Sequence, residues 1–126
     1  VTGPVLGVIE LSAEVVSLSA FRSWNVSARR SKEFVFDCRQ SRLVLGTPVK
    51  HLRITGSPHQ QLAVALAAAD ADLVGGGIQP SGEKNLIRTN EASGHYGTHW
   101  DPGTRARFYD FLAGLGFVSQ HDSGPI

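Results

Sequence analysis

The sequence predicts an α+β domain: an antiparallel sheet of about four strands with helices packed on one face. Three observations carry this. Short β-branched and aromatic runs alternate with helix-periodic segments, turn chemistry joins the runs in pairs, and no internal repeat is present. The 126 residues, 41% hydrophobic and 18% charged, suit one domain and exclude large two-domain enzyme architectures. At this size folding buries roughly two thirds of the unfolded surface, enough for a core without disulfide or metal staples. Cys38 is the only cysteine, which excludes a disulfide framework, and it reads as a small strand residue rather than a nucleophile. With no Met anywhere, the chain reads as a piece cut from something longer or as a processed product.

Residues 4 to 21 form the most apolar stretch. Glu10 and Glu14 interrupt it and no basic segment precedes it, so neither a signal peptide nor a membrane span fits; a span would bury two carboxylates at roughly 2.5 kcal/mol or more each. Val8, Leu11, Val15 and Leu18 recur at helical spacing, which predicts a helix that belongs to the domain or ends a preceding linker. Lys32 to Asp37 and Arg42 to Gly46 then read as a hairpin around Cys38-Arg-Gln-Ser41, with Phe34, Phe36, Leu43 and Leu45 inward. Ser57-Pro-His-Gln60 is a helix start with capping-box spacing, and Leu62, Ala65, Leu66 and Ala69 give that helix its buried stripe. Leu73 to Ile78 is a strand whose three glycines allow a bulge or a close backbone approach. After a turn at Pro80-Ser-Gly82, Asn85 to Asn90 returns as a strand with Leu86 and Arg88 on one face and Ile87 and Thr89 on the other. Asp101 caps a last helix with Pro102 at its first position, Phe108, Phe111, Leu112 and Leu115 inward, and Gly114 and Gly116 at its end.

The net charge of +1 hides a segregation. Between Arg22 and Arg53 eight cations (Arg22, Arg29, Arg30, Lys32, Arg39, Arg42, Lys50, Arg53) face only Glu33 and Asp37, a local charge of +6 that leaves −5 on the remainder. Such a block attracts polyanions or an acidic partner; the plainer reading is a solvated hairpin face.

The chemistry-bearing types concentrate between Thr89 and Asp101, where Glu91, Ser93, His95, Tyr96, His99 and Trp100 fall in thirteen positions joining a strand to a helix. Gly94 and Gly97 flank His95-Tyr96 and free the backbone to aim both side chains outward. The competing reading packs Tyr96 and Trp100 beneath the last helix and turns the histidines to backbone groups. Metal-independent RNA cleavage needs a base for the 2′-hydroxyl, an acid for the leaving 5′-oxygen and a cation for the phosphorane. His95, His99 or His59, with Arg88 and Tyr96, are the types required. A metal site of His95 and His99 with Glu91 or Asp101 is weaker, because Gly97 lies between the histidines and no Glu follows the first. Acyl transfer through Ser93 is weaker again, since Ala92-Ser93-Gly94 lacks the nucleophile elbow. Gly75-Gly-Gly77 is no phosphate loop, and a zinc deaminase needs more than one cysteine. His59 in a first helical turn can meet an anion, though a capped surface histidine is the plainer reading. His51 and His121 read as exposed loop residues.

Ser57-Pro-His-Gln-Gln-Leu-Ala63, the Val74-Gly-Gly-Gly77 strand end, and Thr89-Asn-Glu-Ala-Ser-Gly-His-Tyr-Gly97 with Trp100 and the following Arg/Phe helix resemble the C-terminal toxin domains of bacterial polymorphic toxins, type 43, over about residues 30 to 120. The resemblance implies a domain carried at the end of a larger secreted polypeptide, exported or delivered by contact, acting in the target cell's cytoplasm and neutralised by a cognate immunity protein. Residues 1–29 would then be a leader helix or linker from the delivery portion and residues 30–126 the toxin domain, without stable membrane association. Many toxin domains of this size are predicted nucleases, often metal-independent ribonucleases of the barnase/EndoU/colicin/RelE-like type with a helix on a four-stranded antiparallel sheet, so the resemblance implies action on RNA without a cofactor. The long helix after the last expected strand departs from that pattern. The motif positions implied as catalytic are Arg88, Thr89, Glu91, Ser93, His95 and Tyr96, then His59 and His99. His95 would move the proton, Arg88 hold the phosphate, and Tyr96 stack on a base or donate a second proton. Arg29, Arg30, Lys32, Arg39, Arg42, Lys50, Arg53 and Trp100 would contact the RNA.

Two other classes fit the composition. An ADP-ribosyltransferase toxin using NAD needs an Arg, a Ser/Thr and a Glu; Arg88, Ser93 and Glu91 are the right types but bunched. A non-enzymatic binding module would use the basic face alone.

Overall fold

The computed structural model describes residues 9–11, 18–46, 69–93 and 96–122. In chain order these form β1 (Ile9–Leu11), α1 (Leu18–Ser27), β2 (Lys32–Asp37), β3 (Arg42–Gly46), β4 (Leu73–Gln79), β5 (Leu86–Asn90), α2 (Pro102–Gly114) and β6 (Val118–Asp122). Single 3-10 turns precede β4 at Asp70–Asp72 and α2 at Gly97–His99. The strands make one sheet in the order β1-β3-β2-β4-β5-β6, antiparallel throughout except for the parallel pair β5–β6. The class is the expected α+β, but there are six strands rather than about four.

β2 and β3 form the expected hairpin. Asp37 pairs with Arg42, and the buried Asp37 carboxylate shapes the turn by accepting the amides of Arg39 (2.9 Å) and Gln40 (3.1 Å). Ser41 closes it with φ 53°. The register places Phe34, Phe36, Leu43, Leu45, Val74, Ile78 and Ile87 on one face, where all are buried in a single cluster. α2 lies over this face: Phe108 stacks on Phe34 with ring centroids 5.1 Å apart and meets Phe36 edge-on at 5.4 Å. α1 adds Phe21, edge-on to Phe117 at 5.2 Å. At the end of α1 the buried Asn25 amide donates to the carbonyls of Glu83 and Leu86, each at 2.8 Å, and its oxygen accepts the Ser81 amide at 3.0 Å. One side chain thus ties the helix to the β4–β5 connection.

Two departures from expectation have physical causes. The helix expected over residues 4–21 is, where described, the strand β1 followed by α1 from Leu18. Ile9 to Leu11 is too short for its apolar spacing to distinguish the two periods, and the backbone edge of β3 settles it, with Ile9 opposite Leu45. Both elements fall within residues 1–29; β1 extends the sheet and Phe21 enters the core. β6 was not anticipated because Val-Ser-Gln-His-Asp lacks an apolar alternation: its inward positions carry Ser119 and His121. The helix expected from Ser57, with His59, lies outside the described residues, as do His51, Lys50 and Arg53.

β4 extends beyond the end of β5, and side chains from the following loop complete its hydrogen bonding. Asn90 Oδ1 accepts the Gly77 amide (2.7 Å), Trp100 Nε1 donates to the Gly75 carbonyl (2.8 Å) and His99 Nδ1 donates to the Leu73 carbonyl (2.8 Å). The chain crosses so closely that a Cβ on Gly76 would lie 1.9 Å from the Asn90 carbonyl oxygen. That is the close approach for which the glycine run is needed. Asp101 then caps α2 reciprocally with Thr104: the Thr104 amide donates to Asp101 Oδ1 and the Asp101 amide to Thr104 Oγ1, both at 2.8 Å. Among the described residues no helix is long and apolar enough to cross a membrane.

Candidate active site

The parallel pair β5–β6 and the first turns of α2 bring together a carboxylate, an imidazole and a guanidinium. Glu91 directly follows β5 and is 4% exposed. Arg105, on the first turns of α2, grips it with two bonds, Nε to Oε2 at 2.7 Å and Nη2 to Oε1 at 2.9 Å. His121, on β6, places Nε2 2.8 Å from the same Oε2. Because a carboxylate only accepts, that nitrogen carries the proton; in the neutral ring Nδ1 then accepts from the Thr89 hydroxyl at 2.7 Å, and Ser119 Oγ lies 3.0 Å from Thr89 Oγ1. The register that sets Thr89 beside His121 and Ile87 beside Ser119 produces this row. Trp100, Phe108 and Tyr109 wall the imidazole, with ring centroids at 5.1, 5.8 and 5.5 Å.

The electrostatics follow from the contacts. Burial is the largest single influence on Glu91 and raises its pKa, but the hydrogen bonds from Arg105 and His121, with their charges, outweigh it and hold the carboxyl below its usual range. The Arg105 guanidinium is raised by its hydrogen bond to Glu91, and burial pushes the Tyr109 phenol up. Arg105 keeps 30% of its side chain exposed and Tyr109 38% of its surface, so the cluster meets solvent through these two. Oε2 of Glu91 has two donors and Oε1 one, which leaves Oε1 the oxygen with capacity for a further hydroxyl.

Several expected site residues lie elsewhere. Tyr96 is 1% exposed, and its amide donates at 3.0 Å to Oγ of the buried Ser93. Trp100 is a core residue, and His99 serves the β4 backbone. The competing reading thus describes Trp100 and His99, while the Tyr96 ring lies edge-on to His99 at 5.6 Å. Arg88 is exposed on the opposite sheet face from Thr89, as the alternation requires, so the cation beside Glu91 is Arg105. Arg88 thus faces away from the Glu91–His121 cluster that a transferase's arginine would have to join. Gly94 and His95 lie outside the described residues. His121, expected as an exposed loop residue, has a side chain only 2% exposed and sits at the centre of the cluster.

The basic block is divided by β2. Arg29 and Arg30 precede the strand, while Arg39 and Arg42 lie at its far end, a separation of about 20 Å at strand rise. Lys32 is half-buried, and burial lowers its pKa. Cys38 is buried at the start of the hairpin turn, where burial pushes its thiol up to about 11. Of the residues the sequence reading missed, Arg105 had a signal: it lies three before Phe108 and seven before Leu112, a cation on the buried stripe of an amphipathic helix. His121 had none, because only the pairing of β6 with β5 brings it to Thr89 and Glu91.

Fold and site together define a small α+β domain carrying a buried acid–base pair held by an arginine. Among the described residues no group of three or more His, Cys, Asp or Glu is arranged to hold a metal ion. Residues 1–107 match the family model described as bacterial toxin 43, and the chain belongs to that family. The match includes Glu91 and Arg105 and stops before β6. No curated protein and no solved structure matches the chain.

Proposed function

We propose that this toxin domain is a metal-independent endoribonuclease centred on Glu91 and Arg105. The observation that carries the reading is the doubly bonded Glu91–Arg105 pair with His121 on the same carboxylate. Glu91 accepts the proton of a ribose 2′-hydroxyl through Oε1; the 2′-oxygen attacks the adjacent phosphorus, the bond from phosphorus to the 5′-oxygen breaks, and an acid returns a proton to that oxygen. The product is a 2′,3′-cyclic phosphate. Arg105 neutralises charge on the phosphorane, where a preorganised cation acts most strongly. His121 and Thr89 are positioning residues that hold the carboxylate. His95, four residues after Glu91 in sequence, is the acid in this reading.

A helix laid on a mostly antiparallel sheet supports placing the domain with ribonucleases of the barnase/EndoU/colicin/RelE-like type. Family membership supports the wider setting: part of a larger secreted polypeptide, delivered into a competitor's cytoplasm and blocked by a cognate immunity protein. The test is incubation of the domain with total bacterial RNA in EDTA beside a folded His95→Ala variant, with analysis of the new ends. Fragments ending in 2′,3′-cyclic phosphate from the parent alone fit the reading; intact RNA in both samples contradicts it.

A further inference from the structure

The sheet face opposite α2 carries a polar cleft, and a second cleft adjoins it at Gln79. One, of about 520 Å³, is lined by Gln79, Arg88, Asn90, Gln120 and Asp122, with Thr89 and His121. His121 contributes main chain there, since its side chain is turned to the cluster on the other face. The second, of about 550 Å³, is lined by Ala28, Arg29, Arg30, Ser31, Gln79 and Pro80. Gln79 belongs to both, so they form one track from the end of α1 to the ends of β5 and β6. Register puts Gln79 beside Arg88 and Arg88 beside Gln120, side chains on the same face. Arg29, Arg30 and Arg88 are exposed and form no ion pair among the described residues. Asp122 is the single acid in the lining, at the far end. Asn90 Oδ1 already accepts the amides of Gly77 and Ala92, which leaves its NH2 to donate.

We infer that this track binds a single strand of RNA several nucleotides long, with phosphates on Arg88, Arg29 and Arg30 and the amides of Gln79, Asn90 and Gln120 hydrogen-bonding sugars and base edges. It rests on the ribonuclease reading for its ligand class. Three guanidinium groups separated by neutral amides suit a chain of phosphates interleaved with hydrogen-bonding groups. The track ends at Asn90, and the next residue is Glu91, so a strand lying in it is led around the end of β5 to the cluster. The substrate is therefore an extended strand rather than a dinucleotide.

The probe is a ten-nucleotide 2′-O-methyl RNA with a fluorescent 5′ label, which lacks the attacking hydroxyl, titrated with the full chain in EDTA over a series of NaCl concentrations. Arg88→Ala with Arg29→Ala and Arg30→Ala, checked by circular dichroism, is expected to flatten the plot of log K against log salt by about 2, three contacts at about 0.7 each. A labelled trinucleotide is expected to respond to Arg88→Ala and not to the Arg29/Arg30 pair. An unchanged slope in the triple variant overturns the track and leaves the face to a partner of another class. Cleavage of unmodified RNA by the parent is read separately. Cleavage with an unchanged slope sinks the track alone, whereas arginine-dependent binding without cleavage sinks the ribonuclease reading and keeps the track.

Discussion

Arg105 holds Glu91 in a two-bond clasp, 2.7 and 2.9 Å, that joins the first turns of α2 to the end of β5 across fourteen residues of sequence. The carboxylate is buried and the arginine side chain is 30% exposed, so the pair fixes the acidic group while leaving its cation in reach of solvent. Such a planar pairing is geometrically specific as well as strong, and a lysine cannot reproduce it.

The clasp makes stability depend on pH in a defined direction. Folding depresses the Glu91 pKa, so its contribution is whole above the unfolded carboxyl value of about 4.3 and is lost as pH falls through the folded value. Urea unfolding at pH 7 should show the parent more stable than Glu91→Gln, with the gap narrowing below about pH 4. A gap that widens in acid contradicts the assignment.

Asn25 is the main polar tie between α1 and the β4–β5 connection. Asn25→Ala removes the amide donor of the Glu83 and Leu86 carbonyls, which keep only the Ser81 hydroxyl, and leaves the Ser81 amide without its acceptor. The expected loss is about 2–4 kcal/mol, read from the urea midpoint.

Two glycines should respond in opposite ways to the same change. Gly76→Ala puts a methyl group into the Asn90 carbonyl and Phe34, forcing β4 away from the crossing loop, and should destabilise strongly. Gly114→Ala meets nothing within 4 Å at the end of α2 and should stabilise by up to about 1 kcal/mol. Paired thermal melts check both.

Cys38 should behave as a buried thiol. With its pKa pushed up to about 11, the native chain should react with a thiol reagent at pH 8 far more slowly than the urea-unfolded chain.

The local features of this fold were legible in the sequence. Alternation and turn residues define the β2–β3 hairpin, and Asp101-Pro102 fixes the start of α2. The opposed faces of Arg88 and Thr89 follow from period two alone. What was not legible depends on contacts between distant segments. β6 carries polar residues inward because they complete a cluster, so its pattern hides both the strand and the role of His121. Trp100 and His99 have the composition of a reactive loop, yet they seal the edge of β4 where β5 stops short, a need visible only once the strand lengths are known. Glu91 is legible as a residue, but the cation the sequence offers for the phosphate is Arg88 on β5, whereas the one that meets Glu91 is Arg105 on the next helix.

The central claim is tested most directly by cleavage of a defined single-stranded RNA in EDTA by the parent and by Glu91→Gln, with circular dichroism showing both folded. The account predicts cleavage by the parent and a loss of about 10² to 10⁴-fold in the variant, the range for removal of a general base. Equal cleavage by the two proteins, or none by the parent, would contradict it.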